Sequence, residues 1–381
     1  STDRERSSGM RRFHFRDMRP ASSNLDLSQS AEEIFVSDNI GSEGFQILET
    51  TRETDTYRAA QSLVAMSYTV DWKPQDRLRF SAGWRDERSR QDVLTYNLYD
   101  PDNMPIRAGL ETVDRLPMWA AAWEFRPTHQ LRATYSETVS RPDFKELSVA
   151  PYTDEETGQE VVGNNRLKSA VIKNIDFRYE FYPSSDESVS FGFFRKDFEQ
   201  PIEQIIRPGS DGTLRTFENA KRAENTGVEF ESRIRLRRLA NSLRRLTVAG
   251  NVALIDSKIE LSDSNSGVQT SNSRALQGQS PWVVNLQFLY DHRAANVASG
   301  LMFNMIGPRI REAAAGGLPD IIEESFAQLD WVSSWDFLSN ASVQLKAKNI
   351  LDPEASLTQG GVKTLAWRRG RSFSLNLSAR F

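Results

Sequence analysis

The segment GRSFSLNLSARF, residues 370–381, decides how the rest of the chain is interpreted. Serine, asparagine and arginine alternate in it with apolar residues, namely Phe373, Leu375, Leu377, Ala379 and Phe381. Because successive side chains of a strand point to opposite faces, this alternation predicts a strand with one apolar and one polar face. It has the ~9–11 residues with which a tilted strand crosses a bilayer. A soluble β-sandwich shows the same alternation, so the segment favours a membrane strand and leaves the sandwich open.

The composition fits a β-barrel membrane protein better than a helical one. Mean hydropathy is -0.55 and charged residues make up 26% of the chain. No stretch approaches the ~18 consecutive apolar residues of a spanning helix, whereas a barrel strand needs an apolar residue only at every second position. The 381 residues contain no linker rich in proline, glycine and serine, so we expect one domain over residues 1–381.

The absence of cysteine excludes disulfide frameworks and thiolate metal sites. A formal net charge of -4 gives no basic field for nucleic acid. The chain begins STDRERSSGM, with neither an initiator methionine nor a signal-peptide pattern. We therefore expect that the N-terminus is missing or processed.

The alternation recurs along the chain and predicts about fourteen antiparallel strands. They are centred on residues 13–15, 64–72, 78–96, 119–125, 131–135, 175–181, 189–193, 228–236, 246–254, 284–290, 297–305, 321–331, 338–347 and 373–381. The expected fold is an all-β antiparallel transmembrane barrel with short periplasmic turns and long extracellular loops.

Loop lengths and aromatic positions support the barrel. Short connections are predicted after Trp72, Phe125, Tyr182, Leu236, Tyr290 and Trp331. Long polar connections are predicted at residues 18–54, 140–168, 256–280 and 350–366. The short-turn ends of the strands are expected to carry Trp72, Phe125, Tyr182, Tyr290, Trp331, Trp335, Phe337 and Phe381. Outer-membrane barrels show this loop asymmetry and collect aromatic rings at the membrane interface.

Several blocks resemble the C-terminal barrel of TonB-dependent outer-membrane receptors. They are LRATYSETVSRPDFKELS (131–148), GNNRLK (163–168), NIDFRYEFYPSSDESVSFGFFRKDFEQPIE (174–203), AENTGVEFES (223–232), RALQGQSPWVVNL (274–286) and KNILD (348–352) with the terminal segment. The resemblance runs from about Tyr57 onward and implies an importer. In such a receptor an extracellular ligand binds the loops and an N-terminal plug, and an inner-membrane complex pulls on the plug's TonB box.

The sequence departs from the family in its extent. Family barrels have about 22 strands, and neither a plug, a TonB box nor the first third of the barrel is found here. We expect this chain to be the C-terminal portion of a receptor. Further strands are then expected N-terminal to Ser1, one of them pairing with the strand of Phe381.

Three sets of residues are candidates for function. The assembly signal, read by the barrel-assembly machinery according to the resemblance, consists of Phe373, Leu375, Leu377 and Phe381. The charged residues expected to face the lumen are Arg178, Glu180, Glu229, Glu231, Arg233, Lys346 and Lys348. The family-motif residues in predicted loops are Arg141, Pro142, Glu146, Asn164 and Asn165.

Two interpretations of the lumen charges remain open. In a receptor for a ferric siderophore, cobalamin or an oligosaccharide they contact the plug; in a passive porin they line an open channel. A smaller closed barrel would need a ladder between residues 11–16 and 371–380. Expected partners are outer-membrane lipid, the assembly machinery, the TonB complex and an unidentified small molecule, without nucleic acid.

Enzymatic chemistry is not expected. His14, His129 and His292 are far apart, and no serine lies in a GxSxG pattern. The acidic run of residues 154–156 lacks the spacing of an EF-hand calcium loop. We therefore predict no catalytic, cofactor-binding or metal site.

Overall fold

The computed structural model of the chain describes most of its residues. The described ranges are 1–19, 26, 28–51, 54–96, 104–154, 160–209, 212–261, 270–271, 273–314 and 316–379. The chain divides into two compact units. Unit 1 comprises Ser1–Leu63, Ser89–Glu111 and Asp143–Arg166, and unit 2 comprises Val64–Arg88, Thr112–Pro142 and Leu167–Phe381.

The described residues form β-strands almost throughout. Strands β1 to β12 are Thr2–Gly9, Phe13–Asp17, Phe45–Glu49, Thr56–Gln75, Leu78–Tyr96, Ile106–Arg126, His129–Ser140, Tyr152–Thr153, Glu160–Val161, Ala170–Ser184, Glu187–Glu199 and Ile202–Gly209. Strands β13 to β24 are Gly212–Asn219, Arg222–Arg235, Leu246–Glu260, Trp282–His292, Val297–Ile306, Arg309–Glu312, Ile321–Glu323, Phe326–Leu338, Ala341–Lys348, Glu354–Gln359, Val362–Arg368 and Ser372–Ala379. The helices α1 and α2 are Ala31–Ile34 and Phe144–Leu147. In the described part of the chain, no helix is long and apolar enough to cross a membrane.

Fourteen strands form one antiparallel sheet, as the alternation predicts. Their order is β1-β4-β5-β6-β7-β10-β11-β14-β15-β16-β17-β20-β21-β24. The order of the strands in space is therefore the same as their order along the chain. Such a meander needs only local connections between neighbours. The prediction of an all-β antiparallel fold is confirmed.

The first strand of this sheet differs from the predicted one. The sheet begins with β1, which pairs with residues 56–63 of β4. The predicted strand at Phe13 is β2, which pairs with β3 in a separate two-stranded sheet. The prediction was wrong because the β1 sequence TDRERSSG has no apolar residue, so it carries no alternation to detect.

A second difference concerns the predicted strand at residues 321–331. The structure divides this region into β19, which belongs to another sheet, and β20, which continues to Leu338. The short turn follows at residues 339–340, so Trp331 lies in mid-strand and not at the turn. Its indole Nε1 donates a hydrogen bond of 3.0 Å to Ser299 Oγ. The prediction joined two strands because no proline or glycine separates them.

The long connections are folded and not simply polar. β18, β19, β22 and β23 form a four-stranded sheet, and β12 and β13 form a hairpin. Glu203 of β12 accepts hydrogen bonds of 3.0 and 2.8 Å from the Arg274 guanidinium, and the two side chains are 2% and 4% exposed. Among the described residues of the predicted connections 256–280 and 350–366, the buried Arg274 and the strands β22 and β23 supply structure that polarity alone does not predict.

Cross-strand register gives the large sheet of unit 2 an apolar and a polar face. One row of directly paired residues on the apolar face runs through Trp123, Leu131, Tyr179, Phe191, Phe230, Val252, Val284 and Met305. Phe191 is 51% exposed and Phe230 47%. A β-sandwich covers its apolar face with a second sheet, so these exposures argue against the soluble alternative.

Unit 1 has a buried core around α2. Phe144, Leu147 and Val161 are at most 1% exposed, as is Val93 of β5. The hydroxyl oxygens of Thr95 and Ser148 lie 3.2 Å apart, which connects β5 to the segment after α2. Burial of each large apolar side chain contributes about 1.5–3 kcal/mol, so this core fixes the segment that carries α2.

The face assignment predicts unequal effects of arginine on the two faces of β21. Leu345, on the apolar face, is 43% exposed, and Gln344 is its neighbour on the polar face. If the apolar face contacts lipid, Leu345→Arg should lower folding into phospholipid vesicles by about 2–4 kcal/mol, as measured by urea titration. The matched control Gln344→Arg should fold nearly as well as the native chain. A larger loss for the control would reverse the face assignment.

Candidate functional site: a polar wall and a motif loop

The polar face of the large sheet gathers most of the predicted lumen charges. We call the row of paired residues along it the polar wall; its members are Gln130, Glu180, Ser190, Glu231, Asn251, Asn285, Asn304 and Gln328. Glu180 and Glu231 both lie opposite Ser190, one on each neighbouring strand. The structure thus brings these two predicted residues together, although about 50 residues separate them in the sequence.

Four charged side chains neutralise one another at one end of the polar wall. The Arg178 guanidinium contacts Glu231, lies 3.3 Å from Glu180 Oε1 and donates to Ser190 Oγ at 2.7 Å. Arg132 Nε lies 3.1 Å from Glu180 Oε2. With two arginines beside two glutamates, this cluster has no net charge. Most of its charge is therefore satisfied within the sheet.

Glu180 is the most enclosed member of this cluster. Its side chain is 10% exposed, and Tyr182 Oη donates a hydrogen bond of 2.9 Å to it. A carboxylate with so little access to water needs donors on several sides, and here two arginines and a tyrosine supply them. Glu180 is therefore fixed in position. Its carboxylate can accept further hydrogen bonds only at the small part that is exposed.

A chain of side-chain amides continues the polar wall. Asn304 donates to Asn285 at 2.6 Å, Asn285 donates to Asn251 at 2.8 Å, and Asn251 donates to Glu229 Oε1 at 3.2 Å. Each link crosses between neighbouring strands, from β17 to β14. The sequence prediction missed these asparagines, although each occupies a polar position of its strand. They can be identified only from the register, because it pairs residues that are far apart in the chain.

The remaining predicted lumen residues lie on the same face without joining the cluster. Arg233 lines a cavity at the short-turn end of β14. Lys346 is paired in register with Val332 and Ser374, and Lys348 with Ser372. Both lysines are exposed. The register places all seven charges on one face of the sheet, and that this face lines a lumen stays a prediction.

The motif residue Arg141 is a structural centre of unit 2. Its Nη1 donates to Glu87 Oε2 at 2.8 Å and its Nη2 to Asp114 Oδ2 at 2.5 Å. The three side chains are 9–15% exposed. Pro142, the next residue, is almost fully buried. One guanidinium thus joins β5 and β6 to the end of β7, and the side chains of both motif residues are largely buried.

The motif loop, whose described residues are 143–154 and 160–166 of unit 1, is closed by local hydrogen bonds. Glu146 Oε2 accepts the N–H of Asp143 at 2.8 Å and the Asp143 side chain accepts the N–H of Glu146, which forms a capping box at α2. Asp143 Oδ1 also accepts the N–H of Lys145 at 3.1 Å. The N–H of Asn164 donates to the Glu146 carbonyl at 2.6 Å. These contacts give Glu146 and Asn164 structural roles. Asn165 is exposed at the surface.

Gly163 allows this closure. A Cβ atom at this position would lie 2.2 Å from the Ser148 carbonyl oxygen and 2.5 Å from that of Lys145. Both contacts are with backbone, which cannot move aside without breaking the turn. The glycine of the GNNRLK block is therefore required by the close approach of two backbone segments.

Burial affects two titratable groups of the motif loop. It raises the pKa of Glu146, against the opposing effect of the Asp143 N–H that donates to the carboxylate. Burial, with Asp154 and Glu146 nearby, raises the pKa of Tyr152 to about 12. Lys145 Nζ lies 4.7 Å from the centroid of the Tyr152 ring. Tyr152 therefore stays protonated at neutral pH and presents its ring to the lysine.

The terminal strand β24 lies where the alternation predicts. It pairs with β21 from Ala341↔Ala379 to Lys348↔Ser372. Phe373, Leu375 and Leu377 are 74%, 62% and 69% exposed. Phe381 lies outside the described residues. The recognition of this strand by an assembly machinery stays a prediction.

The histidines occupy separate environments. His14 Nδ1 lies 3.3 Å from Thr50 Oγ1, and His129 Nδ1 lies 2.7 Å from Tyr179 Oη. His292 ends β16. Among the described residues, no three histidine, cysteine, aspartate or glutamate side chains form a group that could hold a metal ion. Of the acidic run, Asp154 is described, whereas residues 155 and 156 lie outside the described ranges.

A sheet with an exposed apolar face and a charged, hydrogen-bonded polar face has the two faces that the wall of a membrane β-barrel requires. The family model for the TonB dependent receptor-like β-barrel matches residues 12–350, and the chain belongs to this family. The family is one of outer-membrane transport receptors. No functionally curated protein sequence matches the chain significantly.

Solved structures agree on the fold. The ferric-catecholate import receptor Fiu from E. coli K12 has a TM-score of 0.62 at 14% identity, over 87% of this chain and 46% of Fiu. The siderophore receptor PiuA from Acinetobacter baumannii has a TM-score of 0.62 at 11% identity, over 88% and 45% of the two chains. The copper transporter OprC has a TM-score of 0.59 at 15% identity, over 86% and 48%. The chain thus spans about half the length of these proteins.

Because Arg141 is the shared partner of Glu87 and Asp114, we expect a large loss of stability when its guanidinium is removed. Arg141→Met leaves Glu87 and Asp114 largely buried without their shared counter-ion, which should lower the free energy of unfolding by about 3 kcal/mol. Urea titration of the refolded chain in detergent measures this change. The matched control Arg115→Met removes a solvent-exposed pair with Asp86 and should have a far smaller effect. Equal losses would show that Arg141 has no special role.

The raised pKa of Glu146 predicts that the motif loop is less stable at higher pH. Since the folded loop binds this proton more tightly, the stability contributed by Glu146 is complete below the usual pKa of ~4.3. It is lost as pH rises through the raised pKa. Hydrogen exchange of Phe144–Leu147, corrected for intrinsic rates, should therefore speed up with pH, and Glu146→Gln should reduce this trend. An unchanged trend in the variant would assign it to another group.

Proposed function

We propose that this chain forms part of the barrel wall of an outer-membrane receptor for TonB-dependent uptake of a scarce nutrient. Its family membership and the two-faced sheet support this proposal together. The exposed apolar row suits lipid contact, and the charged polar wall suits a lumen that holds a plug and a passing ligand. The register that puts Glu180 and Glu231 on one face and Phe191 on the other carries the argument.

The ligand class that we favour is a ferric siderophore. Fiu is a ferric-catecholate import receptor and PiuA is a siderophore receptor, whereas OprC is a copper transporter. These proteins share the fold with this chain at low identity, so they support a class of ligand and not a particular one. Cobalamin and an oligosaccharide are the alternative ligands for a receptor of this kind.

The proposal includes further strands beside the described sheet. β1 covers residues 56–63 of β4 and ends there, while β4 continues to Gln75. At the other end of the sheet order, β24 is paired with β21. In a membrane, each unpaired backbone group along an edge costs several kcal/mol. We infer that other strands of the receptor cover these edges and that residues 1–381 act as one part of a larger barrel.

The passive porin is the alternative to this proposal. A smaller closed barrel needs a ladder between residues 11–16 and 371–380. Phe13–Asp17 pairs instead with Phe45–Glu49, in a sheet separate from that of Ser372–Ala379. The family membership favours the receptor.

Uptake in cells that produce the protein in its natural genetic context tests the proposal. A ⁵⁵Fe-labelled ferric siderophore should accumulate, and a protonophore should abolish accumulation, because the energy comes from the inner membrane. A deletion strain is the control. Energy-independent entry of unrelated small solutes would instead establish the porin.

The terminal strand gives a second expectation, about assembly. Deletion of Phe381 should reduce insertion into the outer membrane of cells much more than refolding into detergent, because only insertion requires recognition by the assembly machinery. Phe337→Ala, which removes an aromatic ring that is 44% exposed, is the matched control and should affect both processes similarly. Equal losses for the deletion would make Phe381 a packing residue.

A further inference from the structure

A large cavity lies on the polar face at the short-turn ends of the strands. Its volume is about 1120 Å³, and its lining reaches from β14 to β21. Arginines dominate its charged lining: Arg233, Arg235, Arg237, Arg244, Arg245 and Arg293. They come from the end of β14, from the connection 236–245 and from the turn after β16.

Two aspartates offset part of this positive charge. Asp186 lies 2.7 Å from Arg235, and Asp291 lies 3.4 Å from Arg293. Within the described part of the chain, the other four arginines have no ion pair. The cavity therefore has an excess of about four positive charges, and arginine is the side chain best suited to bind carboxylates in pairs of hydrogen bonds.

The floor of the cavity is partly apolar. Leu289, Met302 and Val332 contribute to it beside the polar Thr247 and Ser334. A ligand that fits this lining has carboxylates for the arginines and apolar groups for the floor. A free inorganic anion supplies only the first of these.

The width of the cavity points to an extended ligand. Its lining includes residues of six neighbouring strands, from Arg233 on β14 to Gln344 on β21. At ~4.8 Å between strands, these cover about 24 Å. An extended polypeptide advances at most ~3.3–3.6 Å per residue, so about seven residues span the distance. A compact anion would reach only a few of the arginines.

We propose that this arginine-lined cavity binds an acidic polypeptide segment of about seven residues with apolar side chains interspersed. The contacts are guanidinium–carboxylate pairs along the rim and apolar side chains against Leu289, Met302 and Val332. The proposal concerns binding and does not depend on the proposed uptake activity, so the failure of either leaves the other standing.

Fluorescence anisotropy on the full chain, refolded in a non-ionic detergent, tests the proposal. The probe is a fluorescein-labelled peptide, Glu-Leu-Glu-Ser-Glu-Leu-Glu-Ser. The peptide should bind, and salt should lower its affinity. The same peptide with lysine in place of each glutamate should not bind. Each exposed ion pair changes an equilibrium constant by up to about fivefold. The triple variant Arg237→Gln/Arg244→Gln/Arg245→Gln should therefore weaken binding about tenfold.

A matched triple variant separates the cavity from general charge. Arg368→Gln/Arg369→Gln/Arg371→Gln removes the same charge from residues that do not line the cavity and should leave binding within about twofold. Circular dichroism confirms that both variants are folded. The double variant Leu289→Ser/Met302→Ser should weaken binding without a change in its salt dependence, since it alters only the floor.

Four results would overturn the proposal. The first is absence of binding to the native chain, and the second is an equal loss in both arginine variants. The third is displacement of the peptide by tripolyphosphate at equal concentration of charge, which would make the cavity a small-anion site. If anionic phospholipid vesicles compete while neutral vesicles do not, the arginines bind lipid headgroups and the polypeptide proposal is likewise wrong.

Discussion

The register between neighbouring strands is the constraint on which the rest of the structure depends. A shift of one residue between two antiparallel strands moves every side chain of the shifted strand to the other face. Between β11 and β14, Phe191 lies opposite Phe230 and Ser190 lies opposite Glu231. A slip would place Glu231 in the apolar row, away from Arg178. The backbone hydrogen bonds of the two alignments are alike, so the contrast between the faces selects the register.

The sequence predicts a strand well where this contrast is strong. In β24, serine and asparagine alternate with phenylalanine and leucine, and the strand was found within two residues of its described ends. β1 is uniformly polar and is a strand only because β4 pairs with it. The hairpin of β12 and β13 was missed because IEQIIRPG and GTLRTFEN do not alternate strictly. Where local pattern is weak, tertiary pairing decides the structure.

The candidate site was less accessible to prediction than the fold. Periodicity shows that Asn251 occupies a polar position, but its bonds to Glu229 and Asn285 follow from the alignment of three strands. Arg141 illustrates the same limit. Its partners, Glu87 and Asp114, lie on strands formed earlier in the chain, and nothing in the motif itself identifies them. The sequence places Arg141 in a predicted loop, and its contacts show that it supports neighbouring strands.

Two regions of the polar face differ in how their charges are satisfied. Arg132 and Arg178 lie beside Glu180 and Glu231, so the charges of this cluster, on β7, β10 and β14, cancel within the sheet. In the cavity, which extends from β14 to β21, the arginines outnumber the aspartates. Neighbouring like charges repel one another, and salt screens this repulsion only in part. Negative charge brought into the cavity therefore lowers the free energy of the folded chain, whereas the same charge beside the neutral cluster gains little. A ligand that carries carboxylates is thus directed to the cavity between β14 and β21 by the arrangement of the arginines.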